Sequence, residues 1–145
     1  MPDSKSVQLE RYFSALPLTV WRGWTEPEMV SRWFGSDPAG KVLAVQLDVR
    51  PSGRFEVTFR DSSGIEHTCG GVYVDVMPES KLSFSWHWRS EPGIQSFVTV
   101  QLKPHGEGTN MHFEHSHLID GSTHDYAAGW RRTFEKLAIV LSERP

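Results

Sequence analysis

The sequence predicts an α+β fold: an antiparallel sheet of about six or seven strands wrapped around a long C-terminal helix, with two short helices after the first strand. Three observations carry this. From Val45 to His117, apolar and polar residues alternate in short runs separated by turns rich in Pro, Gly, Asp and Ser, the pattern of half-buried strands joined as hairpins. Tyr126, Trp130, Phe134, Leu137 and Leu141 then recur at steps of four, four, three and four, which is one face of a helix. Near the N-terminus, the stretch VWRGWTEPEMVSRWFG sets Trp21, Trp24, Trp33 and Phe34 on two segments too short to be stable as isolated helices. Such segments must pack on something, and the strands that come next in the chain supply the surface.

In order, VQLERYF from Val7 to Phe13 forms a first strand with weak alternation. Pro17 opens a short helix that runs to Trp24. Thr25 and Glu28 match a capping box, and Pro27 stands in the first turn, where its missing N–H does no harm. That second helix ends near Gly35, and Ser36 to Gly40 reads as a loop. Val45, Leu47 and Val49 make a strand, Pro51-Ser52-Gly53 a tight turn, and Phe55, Val57 and Phe59 a second alternating strand. Asp61-Ser62-Ser63-Gly64 makes a hairpin. Ile65 to Val76 is strand-like, with Gly70-Gly71 a candidate bulge or bend. Leu82, Phe84, Trp86 and Trp88 share one face of the next strand, and Ser83, Ser85 and His87 the other. Val98, Val100 and Leu102 lie on one face of a further strand. The last strand alternates Met111, Phe113, His115 and His117 against Asn110, His112 and Glu114. Ser122 with Asp125 then signals the start of the long helix. Connections of hairpin length make the sheet antiparallel.

Bulk properties narrow the function classes. A chain of 145 residues fits one domain and buries roughly 70% of its unfolded surface without staples. The mean hydropathy of −0.42 is that of a soluble protein, and no apolar run reaches the roughly 18 residues of a membrane span. MPDSKSVQLERYF has no signal-peptide apolar region, so a cytoplasmic location is the default expectation. The single cysteine, Cys69, excludes an internal disulfide and lacks partners for a thiolate metal site. With a net charge of −3 and scattered basic residues, the electrostatic footprint of a nucleic-acid binder is missing.

Six tryptophans are the unusual count, because they bring both apolar area and stacking surface. If the chosen strand faces point inward, Trp33, Phe34, Trp86, Trp88, Phe113 and Trp130 converge between sheet and helix as the lining of an apolar pocket. Interdigitation of the same rings into solid core is the competing reading, and toward Leu137 and Leu141 it is the preferred one. His115, His117 and Tyr126 are the candidate polar contacts. His115 and His117, two apart, leave the same strand face. Their plainest reading is a strand-end pair in water; their functional reading is an anchor for a ligand oxygen. Together with Asp125 or His124 they could hold a divalent ion, but His-x-His without a fixed third ligand is a weak motif, and no metal or other cofactor is expected. Cys69 reads as buried and inert, since nothing in the sequence activates it. Glu56, Asp75 and Glu114 read as solvent-facing. Arg50 and Arg54 flank a turn that needs Pro and Gly geometry, which explains them without an anion.

Five phrases in order, VWRGWTEPEMVSRWFG, LDVRPSGRFEV, GGVYVDVMPESKLSFSW, VTVQL followed by GTNMHFEH, and AAGWRRTFEKL, resemble the helix-grip (START-like, Bet v 1-like) superfamily. The nearer branch is that of the activator of the heat-shock-protein-90 ATPase. The resemblance spans Val7 to Leu141. It implies a curved antiparallel sheet gripping a C-terminal helix, with a cavity between them that in many relatives takes small apolar molecules. It brings no universal catalytic motif, so it implies no catalytic residues. The first functional expectation is therefore binding of a small hydrophobic or amphipathic ligand. The second, implied by the family alone, is a co-chaperone that stimulates the heat-shock-protein-90 ATPase. The third is a cyclase, dehydratase or hydrolase with His115 or His117 as base. Nothing in the sequence decides between monomer and homodimer.

Overall fold

The computed structural model describes residues 5–118 and 125–143. Among these residues the chain order is β1 (Lys5–Phe13), α1 (Pro17–Thr25), α2 (Pro27–Trp33), β2 (Lys41–Leu47), β3 (Arg54–Arg60), β4 (Glu66–Met77), β5 (Lys81–Trp88), β6 (Ser96–His105), β7 (Gly108–Leu118) and α3 (Tyr126–Ser142). The strands form one curved antiparallel sheet in the order β1-β7-β6-β5-β4-β3-β2. Every strand-to-strand connection except that from β1 to β2 is a hairpin between neighbours. The excursion through α1 and α2 carries the chain from one edge of the sheet to the other. α3 packs in the concave face, and the α+β helix-grip architecture expected from the sequence is the one observed.

The alternation in each strand decides which side chains enter the core. Phe55 and Val57 on β3, Leu82, Phe84 and Trp86 on β5, Val98, Val100 and Leu102 on β6, and Met111 and Phe113 on β7 are all buried on the concave side. They meet Trp130, Phe134, Leu137 and Leu141 of α3. Trp24 of α1 joins the two layers. Its ring lies 4.9 Å from Trp33, 6.3 Å from Phe113 and 6.1 Å from Phe134, centroid to centroid. The short helices are thus held by aromatic contacts rather than by their own hydrogen bonds.

Four local expectations are corrected. The capping box does not form: Glu26 is the N-cap of α2, with no side-chain bond, and Thr25 is the last residue of α1, its Oγ1 donating to Trp21 O at 2.8 Å. With one residue between two helices, Thr25 cannot leave α1 to cap α2. Val49 lies beyond the end of β2. Gly70-Gly71 is no bulge, because both pair with β3 in unbroken register and the register with β5 is the same at Gly70 and at Tyr73. The slip in β4 falls between Tyr73 and Val76 instead. The fourth correction concerns His117, which adopts φ 59° and is exposed. Between Lys5↔Leu118 and Val7↔His115, β7 carries one residue more than β1, so the strand bulges there and the face alternation breaks.

Asp125 caps α3 by accepting from Ala128 N at 3.2 Å. Ser122, its expected partner in the cap, lies outside the described residues, as does His124. Replacing Asp125 with alanine should cost about 1 kcal/mol in urea unfolding, the usual worth of such a cap; an unchanged midpoint would show that the cap adds nothing.

Candidate functional site

A cavity of about 250 Å³ lies between the N-terminal half of α3 and the sheet. Its walls come from three places. Phe34 and Gly35-Ser36 enter from the end of α2, Phe59, His67, Trp86 and Trp88 from β3, β4 and β5, and Asp125, Tyr126, Gly129, Trp130, Arg132 and Thr133 from α3. Each position obeys a local rule. Trp86 and Trp88 share the concave face of β5 because they are two apart. Tyr126, Gly129, Trp130 and Thr133 share one face of α3 because they are three and four apart. Gly129 gives the helix no side chain there. Phe34 leaves α2 as its C-cap and stacks on Trp86, 5.9 Å away and 25° from parallel. Gly35 then turns the chain at φ 100°, where a side chain would be strained and its Cβ would press on the Phe59 ring at 3.1 Å.

The loop that carries Phe34 is tied down at two points. Lys136 Nζ donates to Phe34 O at 3.4 Å and to Asp37 O at 3.1 Å, and partial burial pulls its pKa down. Asp37 accepts from Ser62 N at 2.9 Å, Ser62 Oγ at 2.7 Å and Ala39 N at 2.8 Å, and those bonds hold its carboxyl below the usual range. The mouth is therefore framed by a loop bound both to α3 and to the β3–β4 hairpin.

Behind the aromatic wall runs a buried polar chain whose proton positions are set by chemistry. Trp130 Nε1 can only donate, so His115 Nδ1, 3.0 Å away, accepts. His115 must then carry its proton on Nε2, which donates to Ser96 Oγ at 2.7 Å. Ser96 Oγ in turn reaches Trp86 O at 3.5 Å. His115 is fully buried, and desolvation pushes its pKa down to about 3, so it is a neutral strut at physiological pH. It fixes the indole of Trp130 from behind the wall. On the other side of the cavity, Trp88 Nε1 donates to the Tyr126 hydroxyl at 2.8 Å, which joins sheet to helix.

Of the residues singled out by sequence, Phe34, Trp86, Trp88, Tyr126 and Trp130 line this cavity. Trp33 and Phe113 do not. Both are fully buried, Trp33 with its Nε1 bonded to Gly23 O at 2.8 Å and Phe113 between Trp130 and Phe134 at 4.7 and 5.0 Å. His115 stands behind the wall and His117 points to solvent, so the pair does not converge. Among the described residues no cluster of three or more His, Cys, Asp or Glu side chains is placed to hold a metal ion. Cys69 is buried, and burial raises its pKa well above the ordinary thiol value, which leaves it protonated. Sequence reasoning missed Phe59, His67, Gly129, Arg132 and Thr133 as lining. Phe59 was visible as the third member of an alternating strand. His67 was not, because its place opposite Phe59 is a matter of β3–β4 register.

An α+β chain with one helix gripped in a curved sheet and a walled cavity at its N-terminal half defines a helix-grip protein of the Bet v 1/START-like class. Comparison with family models gives the branch: residues 14–142 match Activator of Hsp90 ATPase homolog 1-like protein, and the chain belongs to that family. Solved structures agree in fold. Protein CV1439 of Chromobacterium violaceum is 21% identical, with a TM-score of 0.85 over 96% of this chain and 98% of that one. Protein NE0264 of Nitrosomonas europaea is 26% identical, with a TM-score of 0.80 over 94% and 93%. An AHSA1-like protein from Aeromonas hydrophila is 18% identical, with a TM-score of 0.80 over 94% and 91%. No curated protein matches the chain. No helix among the described residues is long and apolar enough to cross a membrane.

Proposed function

We propose that the protein binds a small hydrophobic or amphipathic molecule between the sheet and α3. The observation that carries this reading is the cavity of about 250 Å³ walled by Phe34, Phe59, Trp86, Trp88 and Trp130. It is far larger than the volume of one or two waters, which leaves room for a small organic molecule against these rings. Its polar groups, Ser36, His67, Asp125, Tyr126, Arg132 and Thr133, suit a ligand with one polar end. The family match is consistent with such a role.

Native mass spectrometry of freshly purified protein, with a denatured control, tests this. A non-covalent adduct lost on denaturation is the expected result. Its ligand, added back at about a hundred times its dissociation constant, should stabilise the fold by roughly 2.7 kcal/mol. The melting temperature should then rise by about 5–10 °C. A clean apo mass together with no quenching of tryptophan fluorescence by the amphipathic dye 1-anilinonaphthalene-8-sulfonate would overturn the reading. The family match also favours a second reading, an interaction with a heat-shock-protein-90 chaperone. A pull-down and an ATPase assay with that chaperone test it, and absence of both binding and stimulation removes it.

A further inference from the structure

The β3–β4 hairpin brings an acid–imidazole pair to the cavity. His67 Nε2 lies 2.9 Å from Asp61 Oδ2, and the His67 ring, which lines the cavity, is held between Phe59 at 5.4 Å and Trp88 at 6.2 Å. The turn does not need this bond to close. Asp61 Oδ1 already accepts from Ser63 N at 3.0 Å, Ser63 Oγ at 2.6 Å and Ile65 N at 3.0 Å, while Gly64 N donates to Asp61 O and Asp61 N to Ile65 O. The Ser63 hydroxyl and His67 hold the Asp61 carboxyl far below its ordinary range, so it is an acceptor only. The neutral tautomer of His67 that this carboxylate selects therefore carries its proton on Nε2 and leaves a lone pair on Nδ1. Nδ1 has no hydrogen-bond partner among the described residues. A carboxylate that fixes the tautomer and faces the imidazolium once it forms is the arrangement of a base with its orienting group.

We propose that His67, held by Asp61, is a proton acceptor on the wall of this cavity, and that the ligand class it selects is a planar aromatic molecule bearing an acidic hydroxyl group. The inference rests on the ligand-binding reading above and narrows it. The aromatic walls take the ring by stacking and edge contacts. The ligand's O–H bond breaks, its electron pair stays on oxygen, and the proton passes to Nδ1. The product is an imidazolium between Asp61 and a phenolate. Arg132, which lines the same cavity and makes no ion pair among the described residues, adds positive charge on the helix side. The remaining titratable groups around the site are Asp125 and Tyr126 on the cavity face of α3, with Lys136 of α3 and Asp37 of the loop after α2 at its mouth.

The test uses 4-nitrophenol, whose ionisation is visible in its absorption, and its methyl ether 4-nitroanisole, which has no proton to give. Tryptophan quenching reports binding of each. With the unaltered protein, bound 4-nitrophenol should ionise about one pH unit below the free molecule, as expected beside a newly formed cation. 4-Nitroanisole should bind more weakly. His67→Gln should return the ionisation midpoint of bound 4-nitrophenol to its free value, and any change in 4-nitroanisole affinity measures the packing that the imidazole ring itself supplies. Asp61→Asn should move it part of the way, and it supplies the same readout if His67→Gln fails to fold. A merely structural role for the pair would alter the binding of both probes alike and leave the midpoint unmoved. An unshifted midpoint in the unaltered protein, or an equal shift in His67→Gln, overturns the proposal. If both probes quench without a shift, this inference falls and ligand binding stands; if neither quenches, both fall.

Discussion

Acidification from pH 7 to pH 5 should weaken the fold by about 2 kcal/mol through His115 alone. In the unfolded chain this imidazole titrates at its ordinary 6.5, whereas in the fold, where burial is the dominant cause, it stays neutral down to about pH 3. Below pH 6.5 the unfolded state therefore binds a proton that the folded state refuses. The stability contributed by the neutral strut is whole above pH 6.5 and drains away as the pH falls toward 3. Urea unfolding across the range from neutral to mildly acid pH measures it. His115→Asn should begin about 1–3 kcal/mol less stable at neutral pH, because the Trp130 N–H loses its placed acceptor, and its stability should then fall less steeply with acid. Equal slopes for the two proteins would assign the acid sensitivity to other groups. Near-ultraviolet circular dichroism of the variant should also change, since Trp130 is the residue His115 positions.

Replacing Gly71 with alanine should destabilise the protein by about 4 kcal/mol, near the upper end for a single substitution. A Cβ built there would lie 1.9 Å from Ser85 O and 2.6 Å from its carbonyl carbon, with the Phe55 ring at 3.0 Å. Two of those three atoms are backbone of the neighbouring strand and cannot swing aside. β4 and β5 would have to part at the centre of the sheet, just where Trp86 and Trp88 are aimed into the cavity. Gly93→Ala serves as the control, because nothing lies within 4 Å of its Cβ, and it should stay within about 0.5 kcal/mol of the parent. Comparable loss in both variants would mean that the close approach at Gly71 is not what the fold depends on.

Much of the site's frame was legible in the chain. Leu82, Phe84, Trp86 and Trp88 declare their shared face because the strand period is two, and no bulge interrupts them. Tyr126 and Trp130 declare theirs because the helical period holds along α3. The same logic misled at His117, where an extra residue in β7 puts the backbone at positive φ and turns the side chain outward. The pairing with β1 that exposes this bulge joins residues far apart in the chain, and no local pattern records it. Trp33 and Phe113 show a different limit. Periodicity states that a side chain faces inward, but not whether it meets a void or another ring.

The elements, their order and their inward faces were already written in the amino-acid chain: the α+β architecture follows from periods of two and of about 3.6 and from turn chemistry, all of which are local. Where the concave space stays open was settled only by folding. That depended on the register that sets His67 opposite Phe59, on Lys136 and Asp37 pinning the Phe34 loop away from solid packing, and on His115 lying behind Trp130 rather than in the cavity. These are contacts between segments distant in the chain, fixed by packing and hydrogen-bond satisfaction of the whole, and no short window of sequence encodes them.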